Sequence, residues 1–279
     1  MRIMLAGLAG LAATLTVAAP ASAVPGLVVT TAVSPDTGSE GFKGADAVCP
    51  TGTKILGGGA TIGARSHGVQ LAGVNTAPLG LPADSSWVTA NEGVGGFGSP
   101  WTLTGWAICA SGVSGFQLVT AQADAPGSST LASATATCPA GKQVLGAGGR
   151  SNGKPHVVLD TIMIASDLHS VTVEVFGLDG MTPTAYAYAS CADPVPGAQL
   201  VTVSTPYDSS DKSLSVDCPA GKKLHGIGGG LTGAAGAATL YKLAPHGAGL
   251  TGGVDLIARE TLAGTAGTWR ADLQLVCVP

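Results

Sequence analysis

Charge is scarce in this 279-residue chain: Asp, Glu, Lys and Arg make up 11% of it, where a globular protein carries about 25%. The 13 basic and 17 acidic residues leave a net charge of −4. That balance gives no basic face for nucleic acid and no cationic patch for an anionic membrane. Aromatic residues are only 4% of the chain, so ring stacking cannot be its main way of building a core. Beyond residue 23 there is no 3.6-period apolar stripe of useful length, which argues against a helical fold. Nor is there a run of about 20 apolar residues, so insertion of a helix into a membrane is not expected. Cys-x2-Cys and His-x3-His pairs are missing, as is His-Glu-x-x-His. A structural zinc site is not indicated, and no metal or cofactor is expected.

What the chain has in quantity is glycine, 43 residues, together with Ala, Thr, Ser and Val, a composition of strands and tight turns. Its first residues read as a secretory leader. Met1-Arg2 opens an apolar stretch that ends at Ala21-Ser22-Ala23, ahead of Val24-Pro25, which predicts export with cleavage after Ala23. Six cysteines in an exported chain point to a disulfide framework.

Three segments of the chain repeat one another. Cys49-Pro50-Thr51-Gly52, Cys138-Pro139-Ala140-Gly141 and Cys218-Pro219-Ala220-Gly221 each continue into a glycine-rich run, and all three fit C-P-x-G-x-x-aliphatic-x-G-x-G. A second cysteine closes each unit, at Cys109, Cys191 and Cys277. Trp101 and Trp269 stand eight residues before the closing cysteine of their units, and Pro183 holds that place in the middle one. The units are 27–115, 116–197 and 198–279, after a leader of 1–23. Their simplest pairing is internal: Cys49 with Cys109, Cys138 with Cys191 and Cys218 with Cys277. Each bridge closes a loop of roughly 60 residues, worth about 4 kcal/mol in the chain-entropy picture. Runs such as "SVTVEVF" (170–176) and "VDLIARE" (254–260) alternate with period two, the mark of half-buried strands. The expected fold is all-β, three repeats of antiparallel strands packed as one pseudo-three-fold body, with three small β domains in tandem as the alternative. A unit of about 80 residues is marginal on its own, which favours one body.

The repeated C-P-x-G motif closed by a strand ending in Cys resembles the vitelline membrane outer layer protein family, and is similar to exported actinobacterial proteins with C-P-x-G repeats. The resemblance covers the motif segments and closing strands, about a third of the chain. It implies a β-prism of three antiparallel sheets and carries over no catalytic residue. The chain departs from the family in its longer units, extra glycines and few aromatics.

The glycine-rich runs do not read as phosphate loops, because the lysines precede the glycines and no helix follows. Their structural role is a turn followed by closely approaching strands. Candidate binding residues come from repeat positions instead. Glu92, Glu174 and Glu260 each lie 17 residues before a closing cysteine, so three equivalent carboxylates are expected, free to bind a cation or sugar hydroxyls or, two of them, to serve as a glycosidase pair. The alternative for them is pairing with the motif lysines Lys54, Lys142 and Lys222. Trp106, Tyr186 and Tyr188 occupy the opposite face of the closing strands from Trp101 and Trp269 and are candidate sugar platforms. His225 stands where the other units have Leu56 and Leu145. The function this supports is a secreted, non-catalytic binding or structural protein with a glycan or cell-wall polymer as its partner. A polysaccharide hydrolase using the glutamates and a purely structural envelope protein are the alternatives, and oligomeric state is left open.

Overall fold

The structure, a computed structural model, describes residues 24–35, 38–39, 41–63, 67–76, 84–154, 156–246, 252–261 and 267–279. The expected leader lies outside them. The described chain is all strand and turn, 18 strands in all, six from each repeat. Unit one supplies β1 (Val28–Val33), β2 (Phe42–Val48), β3 (Lys54–Ile62), β4 (Val69–Thr76), β5 (Ser85–Glu92) and β6 (Leu103–Ala110). Unit two supplies β7 (Gln117–Asp124), β8 (Leu131–Thr137), β9 (Gln143–Arg150), β10 (Val157–Ile164), β11 (Ser170–Gly177) and β12 (Thr184–Ala192). Unit three supplies β13 (Gln199–Ser204), β14 (Lys212–Asp217), β15 (Lys223–Thr232), β16 (Ala238–Pro245), β17 (Gly253–Glu260) and β18 (Arg270–Val278).

These strands form three six-stranded sheets in the orders β1-β6-β3-β16-β17-β14, β2-β5-β4-β9-β12-β7 and β13-β18-β15-β10-β11-β8. Every sheet is therefore half from one unit and half from another. Each unit places its first, sixth and third strands in one sheet and its fourth, fifth and second in the next. The halves meet at three equivalent seams, β3 with β16, β9 with β4 and β15 with β10, each joined by only two residue pairs. Three separate domains in tandem are not what forms, because an isolated unit would leave two half-sheets with open seam edges.

The strands hold this arrangement because their period-two pattern is kept. Trp269, Ala271, Leu273, Leu275 and Cys277 are all fully buried along the closing strand, and Trp101 is buried at the matching place in unit one. Most of the interior is one apolar cluster drawn from all three units, beside a small second cluster around the Cys49–Cys109 bridge. The three disulfides are Cys49–Cys109, Cys138–Cys191 and Cys218–Cys277. Each ties the end of a unit's second strand to its sixth, and so staples together the two sheets that the unit spans. Three such bridges belong to an oxidising, extracellular kind of environment. No helix among the described residues is long and apolar enough to cross a membrane.

The first motif glycine serves a turn. Gly52, Gly141 and Gly221 have φ of 85°, 80° and 81°. In each unit the amide three residues after the motif proline donates to that proline's carbonyl, at 3.0–3.1 Å, a turn that needs positive φ at its third residue. The second motif glycine serves the axis. Leu56, Leu145 and His225 are each an extra, bulged residue in β3, β9 and β15. The glycine that follows each of them meets the bulged residue's carbonyl from another unit. A Cβ on Gly146 would overlap the Leu56 carbonyl, one on Gly226 would come within 2.5 Å of the Leu145 oxygen, and one on Gly57 would stand 3.5 Å from the His225 oxygen. The contacts close a ring, from unit one to two, two to three and three to one.

His225 is fully buried in this ring. Its Nδ1–H donates to the Lys223 carbonyl at 3.0 Å, while Nε2 is buried with no partner. Burial pushes its pKa below the ordinary 6.5, so the imidazole is neutral. Two outcomes are expected from urea unfolding. Gly146→Ala destabilises the fold by about 3 kcal/mol or more, because backbone has to move, whereas Gly57→Ala costs under about 1 kcal/mol. His225→Leu restores the residue type of the other two units and removes an unsatisfied acceptor, for a gain of about 1 kcal/mol. That gain grows as pH falls through 6.5, since the unfolded imidazole takes up a proton that the buried one resists.

Candidate functional site

The three glutamates do not occupy equivalent places. Glu92 and Glu260 end β5 and β17, and each accepts a hydrogen bond from the indole N–H of its unit's buried tryptophan, Trp101 or Trp269, at 3.2 Å. A buried lysine stands over each indole, Lys43 at 5.0 Å and Lys212 at 4.7 Å from the ring centre. These are two copies of one Lys–Trp–Glu corner. Unit two has none of it: Ala132 replaces the lysine and Pro183 the tryptophan. Strand pairing sets Lys43 opposite Ala90, Lys212 opposite Ala258 and Ala132 opposite Val175. Two residues further on lie Glu92, Glu260 and Gly177. Gly177 stands 14 residues before Cys191, against 17 for the glutamates of the other units, so the connection after β11 is three residues shorter. Glu174 shares the sequence spacing but sits three residues earlier, in mid-strand. The motif lysines do not pair with the glutamates either. Lys54 bonds Asp84 at 3.0 Å, Lys142 bonds Asp193 at 3.3 Å, and Lys222 donates to the Gly197 carbonyl and to Gln199.

The aromatic candidates are dispersed and partly covered. Trp106 is half-buried on β6, in a different sheet from Tyr186 and Tyr188 on β12. The Arg150 guanidinium lies 3.7 Å from the Tyr186 ring centre, and its Nε donates to the Tyr188 hydroxyl at 3.1 Å. One arginine thus occupies both tyrosines, and no row of open rings is formed.

Glu174 instead lines a trough of about 580 Å³ on the outer face of β13-β18-β15-β10-β11-β8, crossing the β15/β10 seam. The trough exists on this sheet because of what stands at the seam. The equivalent seam pairs are Thr61 with Lys242, Arg150 with Gly73, and Gly230 with Thr161. Long cationic side chains rise from the first two seams. At the third, Gly230 presents bare backbone to the trough. Thr161, Thr172, Thr202, Ser204 and Thr232 bring hydroxyls to the trough, and Leu131, Met163, Phe176 and Leu231 bring apolar surface. Gln274, also buried here, pins the seam by accepting from the Ile164 amide at 2.7 Å and donating to the Ile164 carbonyl at 3.0 Å.

Three carboxylates and one guanidinium set the polarity. Asp272 is fully engaged, accepting from Ser204, Thr232 and Arg270. Asp160 is different. It is the bulged residue of β10, at the place held by Ala72 in β4 and Tyr241 in β16. It is only 4% exposed. Its Oδ2 accepts from the Thr161 hydroxyl at 3.0 Å, while Oδ1 is buried without a partner. Burial raises its pKa to about 7; the Thr161 hydrogen bond opposes that rise and the negative charge of nearby Glu174 adds to it. Near neutral pH this carboxyl is partly protonated, and so is able to donate as well as accept a hydrogen bond. Such a trough suits a polyhydroxylated ligand, whose vicinal hydroxyls match carboxyl and threonine groups while its C–H faces meet the apolar wall. No group of three or more His, Cys, Asp or Glu among the described residues is arranged to hold a metal ion.

No protein family matches the chain, and no curated protein is significantly similar to it. The local geometry therefore carries the functional argument. Asp160 escaped the reading of the sequence, although its signal was there: it is the lone charge in the apolar run "VVLDTIMIA" (157–165).

Because the folded chain keeps a proton on Asp160 that the unfolded chain releases above its ordinary 3.8, stability falls as pH rises from about 4 to about 7. Asp160→Asn removes that fall. Urea unfolding at pH 8 should show the variant more stable than the parent by about 2–4 kcal/mol, and the two nearly equal at pH 4.

Proposed function

We propose that this is an exported carbohydrate-binding protein of the cell envelope or extracellular space, with its leader removed after Ala23, and that the seam trough of unit two is its glycan site. The observation that carries this reading is the buried Asp160 Oδ1 left without a partner in an open, hydroxyl-lined trough. An unsatisfied buried acceptor is costly unless a ligand completes it. The closely stapled framework supports the same reading, since a site built on strands and disulfides loses little order on binding. Low overall charge is also consistent with a neutral polymer as partner.

A second reading follows from the same pair of residues. Asp160, protonated near neutrality, lies beside Glu174, and a raised-pKa acid next to a second carboxylate is the equipment of a glycoside hydrolase. Glu92 and Glu260, held by indole N–H groups, take no part in it.

The test is retention of chain 24–279 on a panel of insoluble polysaccharides and peptidoglycan, followed by titration with soluble fragments of whichever polymer retains it. Glu174→Gln should weaken binding about tenfold or more, as loss of a charged hydrogen bond does, while Glu92→Gln and Glu260→Gln leave it unchanged. Retention on none of the polymers, or binding indifferent to Glu174→Gln, overturns the assignment of the trough. Release of new reducing ends moves the reading to the hydrolase.

A further inference from the structure

A second cavity, of about 350 Å³, opens where the ends of the strands from all three units converge. Unit one contributes Gln70 and Val94, unit two Leu178 and Asp179, and unit three Ala235 and Ala237, so the cavity exists only in the assembled body. Its wall is mainly apolar. At its base Gln70 is 3% exposed, and its Nε2 has no hydrogen-bond acceptor. The cross-strand neighbour Asn91, equally buried, also has an amide nitrogen without a partner, and it lines an adjoining hollow that shares Gly93. Two orphaned buried donors side by side are rare in a folded chain.

The rim is strained as well. Asp179 and Ala235 have φ of 53° and 47°, among only four non-glycine residues with positive φ in the described chain, and such strain gathers at binding sites. Asp179 is held by His156, whose Nδ1 lies 3.3 Å from its carboxylate. The charges facing the cavity disfavour an anion. Asp179 is acidic, and the one imidazole on the wall, His67, is engaged through Nδ1 with the Glu260 carbonyl at 2.8 Å.

We propose that this axial cavity binds a small uncharged molecule with a compact apolar body and one carbonyl oxygen, a ketone or amide, which accepts from Gln70 Nε2. The apolar walls take the body, the orphaned amide supplies the directional contact, and Asp179 turns away carboxylates. The site is independent of the trough, although the two adjoin at Ala235.

The test uses 15N-labelled chain 24–279 with cyclohexanone as the neutral probe and cyclohexanecarboxylate as its charged counterpart. Cyclohexanone should move the Gln70 side-chain amide signals saturably, together with the backbone amides of Val94, Leu178 and Ala235. Gln70→Met should weaken binding at least tenfold, and the carboxylate should bind at least tenfold more weakly than the ketone. Ala237→Leu, which fills the cavity and leaves Gln70 in place, should abolish the shifts, and Glu174→Gln in the trough should leave them intact. Absence of a saturable shift, equal binding by Gln70→Met or by Ala237→Leu, or equal affinity for the carboxylate overturns the proposal.

Discussion

The structure depends on one contact made three times: the carbonyl of a bulged residue in each central strand pressed against a glycine of the next unit. Leu56 meets Gly146, Leu145 meets Gly226 and His225 meets Gly57. At Gly146 and Gly226 no side chain fits between the backbones, while at Gly57 a Cβ would stand at ordinary contact distance, so two of the three approaches are closer than those of ordinary packed sheets. That approach brings three half-sheets of each kind to one axis, and their outer edges then meet at the seams. The disulfides act on the same geometry from outside, each fixing the angle between the two sheets that one unit spans.

Close packing at the axis leaves little room for variation there, whereas the seams are free to differ. Only two residue pairs join each seam, and whatever points outward from them sets the chemistry of that face. Lys242 bonds Asp255 at 2.8 Å on one face, and Arg150 stacks on Tyr186 on another. In both, the cationic side chain is engaged with a neighbour of its own sheet. The third seam has glycine where the others have Thr61 and Arg150, and it presents a trough with an unsatisfied carboxyl beside it.

The architecture was legible in the sequence because repetition averages away local ambiguity. Three copies of C-P-x-G with closing cysteines point to the disulfide pairs and to an all-β repeat, and both are as expected in the structure. The glutamates show the limit of the same logic. Equal spacing from a cysteine implies equal position only if the intervening connection has equal length, and the connection after β11 is three residues shorter. The aromatic platforms failed for a different reason. A strand pattern tells which face Tyr186 and Tyr188 occupy, but not that Arg150, on a neighbouring strand, will cover them. Asp160 was hidden because its position depends on a bulge, which is visible only in the register between β10 and β11.

Unit two is thus the unit in which the repeat is most relaxed, and the two departures have a common logic. In units one and three the Lys–Trp–Glu corner knits the start of the second strand, the end of the fifth and the approach to the sixth through a buried cation over an indole. Such a corner fixes the end of its sheet rigidly and uses its glutamate in doing so. Unit two ends the same strands with Ala132, Gly177 and Pro183, and its glutamate lies mid-strand facing the trough beside Asp160. A carboxylate held by an indole is fixed at the end of its strand by the fold. The unit that gave up the structural corner is the one whose glutamate lines the trough beside Asp160, and two intact corners with three disulfides hold the rest of the body.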